Sequence, residues 1–243
     1  SPTNIGLTLT NYVAARDLKI ITPEVAQEKV LAMLTALEGI PRHTSGLFYA
    51  WYDAKDGGKI TNYFVPSIDN AHLTIALKVV AEAFKDERPD ISSRAQAIID
   101  SQNFSVVYDA SHNLLAGGLS TRGVKETWHP AGVLGSESRM AEQVLRALGK
   151  IGGTDIPSGI TIQTYTAPDG STMPFLPLWD GGAFQMFLPE MFVNEEAYPV
   201  MNALQRNYVR IAASEGQKAN LLRNKYPAAF SASEGIDRYN GQQ

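Results

Sequence analysis

The sequence predicts a mainly α-helical protein with small β-hairpin insertions, and three observations carry that prediction. Apolar residues recur at helical spacing through most of the 243-residue chain. Two segments, "FSVVYDASHNLLAGGL" (104–119) and "ITIQTYTAPDGSTMPF" (160–175), break that period and read as short hairpins, the second turning at Pro168-Asp169-Gly170. Helices and strands do not alternate, so no parallel sheet is expected.

Each helix has its own signature. The first is expected from about Ile5 to Leu18, with Leu9, Val13 and Ala14 inward. In "TPEVAQEKVLAMLTALEG" (22–39), Thr22 is the N-cap, Pro23 takes the first helical position and Gly39 stops the run. An aromatic loop follows, then "SIDNAHLTIALKVVAEAF" (67–84), which ends in the charged breaker "KDERPD". "ISSRAQAIIDSQ" (91–102) is helical, and so is Met140 to Leu148, with Met140, Ala141, Val144, Leu145 and Leu148 on one face. Late in the chain come "GGAFQMFLPEMF" (181–192), which Pro189 should end or kink, and "YPVMNALQRNYVRIAASE" (198–215).

Composition excludes several functions. The length suits one large domain or two small ones, with 44% hydrophobic and 19% charged residues, an ordinary globular balance. A net charge of −4 without any Lys/Arg stripe argues against capture of nucleic acid or of an anionic membrane. No apolar run approaches the roughly 20 residues that span a bilayer. The opening "SPTNIG" has no basic or hydrophobic leader, so any signal peptide is expected to have been removed. With no cysteine there is no disulfide, thiolate metal site or thiol nucleophile, and the compartment stays open between cytosol and periplasm. The histidines, at 43, 72, 112 and 129, are scattered and argue against zinc. "DGGK" (56–59) is a turn, not a phosphate loop.

Three acids occupy one kind of place. Glu137 lies four residues before Ala141 and seven before Val144, in line with the buried stripe. Asp69 is in line with Leu73, Ala76, Leu77, Val80 and Phe84, and Asp180 with Phe184, Phe187, Leu188 and Met191. Two readings meet these residues. Acids at helix starts cap free N–H groups and complement the dipole. If the helices pack side by side in one direction, the same acids converge on one end of the core. Paired carboxylates in a cleft are the working parts of glycoside hydrolysis. The loop "SGLFYAWYDAKDGG" (45–58) supplies Phe48, Tyr49, Trp51 and Tyr52 as sugar-stacking faces or as a plug for the helical core, and Asp53 as a hydroxyl acceptor. Trp128 and Trp179 stand shortly before Glu137 and Asp180.

Five motifs in order, "SPTNIGL" (1–7), "FYAWYD" (48–53), "VPSIDNAHL" (65–73), "GSESR" (135–139) and "WDGGAFQMFLPEMF" (179–192), resemble the glycoamylase-like domain of bacterial β-1,2-glucanases and cyclic β-1,2-glucan synthases. The resemblance runs through nearly the whole chain and implies a single domain over 1–243 with an (α/α)6-toroid-like helical barrel and a cleft at one end. It implies a glycosidase or glucan-remodelling reaction on a β-glucan, β-1,2-linked, with no metal or organic cofactor, in a periplasmic or secreted bacterial protein. Glu137, Asp69 and Asp180 are then the expected catalytic acids. Asn4, Tyr49, Trp51, Tyr52, Asp53, Trp128, Arg139, Trp179, Gln185 and Glu234 are expected to line the substrate. Because residues two apart on a helix do not face each other, Arg139 is expected to serve a neighbouring helix rather than Glu137.

Two departures from the family matter. Its members commonly carry Glu where this chain has Gln185, and an amide can serve neither as proton donor nor as carboxylate nucleophile. The chain also supplies fewer convincing helices than a complete toroid needs, so the barrel is expected to be partial or completed by a partner chain or a further segment. The rival functions are a non-catalytic carbohydrate-binding protein and a subunit of a polysaccharide machine on the same scaffold.

Overall fold

The computed structural model describes residues 1–58, 60, 64–130, 137–153, 162–176, 183–197, 202–211, 233–234 and 239–240. The chain divides into two compact units, residues 1–128 with 144–153, and residues 129–143 with 154–243.

The first unit is built on four helices. Helix α1 spans Pro2–Asp17, α2 Pro23–Gly39, α3 Ser67–Ala83 and α4 Pro89–Ser101. Helix α2 begins as its sequence requires: Thr22 is extended, its hydroxyl accepts from Val25 N at 3.4 Å, and Pro23 follows. Helix α1 packs on α2 and α3, and α3 on α4. Gly6 makes the α1–α3 approach close, since a Cβ there would sit 3.1 Å from Ala76 Cβ and 3.2 Å from Leu73 Cα. The inward residues of α1 are Pro2, Gly6, Leu9 and Val13. Ala14, expected inward, is exposed, because the buried stripe advances by four, three and four residues and passes it by. Leu73, Ala76, Leu77 and Val80 of α3 and Phe84 at its C-cap are all buried as predicted, joined in the core by Leu9, Val30, Leu34, Ile91 and Ile99.

Short strands frame the start of α3. Strand β1 is Val65–Pro66, β2 Tyr108–Asp109, β3 Leu114–Leu115 and β4 Gly118–Leu119. The pairs β2–β3 and β1–β4 are antiparallel. The segment 104–119 is therefore not one simple hairpin. It opens as a 3₁₀ turn, Phe104–Val106, because Asn103 Oδ1 accepts from Ser105 N at 3.0 Å and bends the chain. Its last residues pair with β1 instead of with its own beginning.

Helix α5, Ser138–Ala147, gives residues 138–143 to the second unit and the remainder to the first. Met140, Ala141 and Leu145 are buried, while Val144 and Leu148 are half-buried. Gly149 ends the helix at φ 67°, and Lys150 N donates to Leu145 O at 2.8 Å. Lys150 Nζ then donates to Ile99 O at 2.6 Å, neutralising the carbonyl end of α4.

The second unit also holds the hairpin of β5 (Gln163–Thr166) and β6 (Thr172–Phe175), turning at Ala167–Gly170 as predicted. Helix α6 is only Ala183–Phe187, and Pro189–Met191 continues as a 3₁₀ turn, so Pro189 ends the helix. Residues 202–211 form α7, and Ser233–Glu234 pairs with Tyr239–Asn240 as β7 and β8. Leu176, Met186 and Leu204 form its core with Tyr208 against them. The expected stripe through Phe187 and Met191 fails, since these are 38% and 74% exposed while Gln185 and Met186 are buried. The helical period stops at Phe187 and cannot carry past Pro189. Among the described residues no helix is long and apolar enough to cross a membrane.

Candidate functional site

Helix α3 presents Asp69 in its first turn. The residue before the helix is Pro66, which has no side-chain cap to offer, and Ser67 uses its hydroxyl on Ala116 O at 2.5 Å. Asp69 is half-buried and accepts from Thr3 Oγ1 of α1 at 2.5 Å. Thr3 Oγ1 also lies 3.4 Å from His72 Nδ1. A cap would bond amides of its own helix. This carboxylate is instead held by a hydroxyl from a different helix, at the short distance of a charge-assisted bond.

The next residue turns inward and does the structural work. Asn70 Oδ1 accepts from Phe48 N at 2.7 Å, and Nδ2 donates to Phe48 O at 2.9 Å and Pro66 O at 2.7 Å. Asn70 is fully buried, so these bonds satisfy three backbone groups that no water reaches. Sequence reasoning passed over it, although its offsets of three and seven to Leu73 and Leu77 put a polar residue on the apolar face.

The aromatic loop divides between core and surface. Phe48 is fully buried in the helical core, with Arg42 stacked 5.4 Å from its ring centroid. Tyr52 is half-buried against the same core, donates to Pro41 O at 2.7 Å and accepts from Tyr49 N at 2.9 Å. Burial raises its phenol to about 12. Tyr49 is half-buried and Trp51 is 56% exposed. Asp53 is exposed, its Oδ1 accepting from Lys55 N at 2.8 Å in a turn, and Asn4 is exposed on α1. Trp128 is 53% exposed.

In the second unit Glu137 immediately precedes α5, half-buried, with its Oε2 atom buried. Arg139, in the first turn, is only 2% exposed. Its Nε and Nη2 donate to Glu195 Oε1 and Oε2 at 2.9 and 2.8 Å, a bidentate pair. Nη1 donates to Gln185 O at 2.8 Å and Nη2 also to Met186 O at 2.5 Å. Gln205 Nε2 bridges Glu190 and Glu195, 3.1 Å from a carboxylate oxygen of each, and Glu195 N donates to Glu190 Oε2 at 3.1 Å. A buried guanidinium is tolerable only when paired and hydrogen-bonded, and here it is both. Arg139 thus serves the 185–195 segment, as the helix spacing required. It ties the residue after Glu137's helix start to the carbonyl of Gln185, whose side chain is itself buried.

Glu142, fully buried on α5, Glu195, Glu190 and Gln205 were not singled out from the sequence. Glu142 lies one residue after the predicted stripe position Ala141, and no local signal marks it as buried. Asp69 belongs to the first unit and Glu137 to the second. Trp179 and Asp180 lie outside the described residues, as does the side chain of Glu234, whose backbone forms β7.

No family model matches the chain, and no curated protein matches it. Solved structures do. An endo-β-1,2-glucanase from Chitinophaga pinensis, solved with sophorotriose and glucose, superposes with a TM-score of 0.78 at 15% identity. Candidate glucoamylases from Bacteroides caccae and Bacteroides uniformis give 0.74 at 15% and 0.75 at 12%. Each alignment covers 98% of this chain, which spans only 62–63% of the length of those proteins. At these identities the likeness is one of fold. The chain has the mainly helical, toroid-type fold of glycoamylase-like glycoside hydrolases, with small hairpins inserted.

Proposed function

We propose that the protein is a glycoside hydrolase that cleaves within a β-glucan, with a β-1,2-linked glucan as its substrate. The observation that carries this reading is Asp69. It stands at the head of an inner-core helix without capping it, and Thr3 of α1 holds it instead. The fold shared with an endo-β-1,2-glucanase supports the choice of substrate class.

In this reading residues 1–243 act as one glycoamylase-like domain, and Glu137 works with Asp69 or Asp180. One carboxylic acid donates its proton to the departing glycosidic oxygen. The other, ionised, activates water or attacks C1. Arg139 keeps the start of α5 fixed to the Gln185 segment. A polymeric β-glucan substrate goes with a periplasmic or secreted bacterial protein. Incubation with linear β-1,2-glucan should release new reducing ends, and β-1,3-glucan should release far fewer.

Gln185 favours a second reading, a carbohydrate-binding protein on the same scaffold, because an amide occupies the place of a family carboxylate. Such a protein would bind the glucan in calorimetry and release no reducing ends.

A further inference from the structure

Residues 117–128 fold back on themselves as a tight hairpin. Ser120 N donates to Val124 O at 2.7 Å, Glu126 N to Gly118 O at 2.9 Å, and Gly117 N to Trp128 O at 2.9 Å. The hairpin lays the indole of Trp128 on the backbone of Gly117. A Cβ at residue 117 would fall inside contact distance of Cε2, Cζ2 and Nε1 of that ring. These are three consecutive ring atoms met almost equally, so the backbone meets the indole's face rather than its edge. Gly117 is not among the glycines with positive φ. The position requires glycine for space, not for conformation.

One face of the indole is therefore seated on the chain, and Trp128 still exposes 53% of its surface. The strand beneath it leads to α3. Gly117 O accepts from Ser67 N at 3.1 Å, Ala116 O accepts from the Ser67 hydroxyl, and Gly118 pairs with Pro66. Ser67 opens α3, two residues ahead of Asp69.

We propose that the open face of Trp128 is a stacking platform for a glucose ring at the Asp69 end of α3, and that Gly117 is the residue that sets its height and tilt. The proposal rests on the glycan reading above and assigns one of its subsites. A β-glucopyranose carries its hydroxyls around the ring edge and its C–H bonds on the two faces. A flat, half-exposed indole is complementary to such a face, while the edge hydroxyls stay free to meet polar groups. A seated ring also loses little freedom on binding, which a mobile surface tryptophan would have to give up.

The test is calorimetry with a linear β-1,2-linked glucose tetrasaccharide, in the Glu137→Gln background so that the ligand is not consumed. Trp128→Ala should weaken binding by about tenfold and Trp128→Phe, which keeps a flat face, by no more than about threefold. Gly117→Ala should weaken binding as Trp128→Ala does, and the double variant should be no weaker than Trp128→Ala alone, because both changes remove one platform. If Gly117→Ala does not fold, the Trp128 pair decides. Cleavage of β-1,2-glucan by the parent protein together with unchanged affinity in Trp128→Ala would overturn the platform and leave the glycosidase reading standing. No binding of the tetrasaccharide by the parent background would overturn both.

Discussion

Adjacent residues can carry opposite duties, and Asp69 with Asn70 is the clearest case. Asp69 is half-buried and held by one hydroxyl, so Asp69→Asn should cost no more than about 1 kcal/mol of stability, and loss of turnover in that variant would select Asp69 over Asp180 as the partner of Glu137. Asn70→Ala strands Phe48 N, Phe48 O and Pro66 O in a dry interior and should cost about 3 kcal/mol, read by denaturant unfolding. Tyr52 makes a prediction about pH. Its phenol is raised from the ordinary 10.0 to about 12, chiefly by burial. The folded protein therefore keeps a proton that the unfolded chain releases. The stability this contributes is complete below pH 10 and is lost as pH rises through about 12. Tyr52→Phe should be less stable than the parent at neutral pH, having lost two hydrogen bonds, and the gap should close between those two values.

The elements were legible where the signal is local. Thr22, Pro23 and Gly39 mark the ends of α2 within a residue, and the 3.6 period of α3 named five buried side chains correctly. Legibility failed where the partner comes from far along the chain. Thr3 meets Asp69 across 66 residues, and Arg139 meets Glu195 across 56. No spacing rule reaches so far. It failed again in the stripe through Phe187 and Met191, although Pro189 was read correctly as the place where that helix ends. Within the second unit the Arg139–Glu195 pair makes a testable stake in how α5 is held. Arg139→Met leaves a buried carboxylate unpaired and should cost about 3–5 kcal/mol. The Arg139→Met/Glu195→Gln double variant should lose less than Arg139→Met alone, because no isolated charge remains. Equal losses would mean that the carbonyl bonds to Gln185 and Met186, not the ion pair, hold the segment.

At the scale of the molecule, the fold alone does not make a glycosidase, because function resides in the site. Hydrolysis needs two carboxylates acting together, and Glu137 is the one proposed in common to both possible pairs. If the reaction proceeds, the configuration of the first product reports their spacing. Retention implies carboxyl groups about 5–5.5 Å apart, and inversion about 6.5–9.5 Å with a water between them. The decisive measurement is the rate of reducing-end release from linear β-1,2-glucan by the parent and by Glu137→Gln, with folding of the variant verified by circular dichroism. Measurable release by the parent is expected, with a loss of about 10²–10⁴-fold in the folded variant, the usual cost of removing a general acid or base. A folded Glu137→Gln protein that releases reducing ends at the parent's rate, or a parent that releases none, would contradict this expectation.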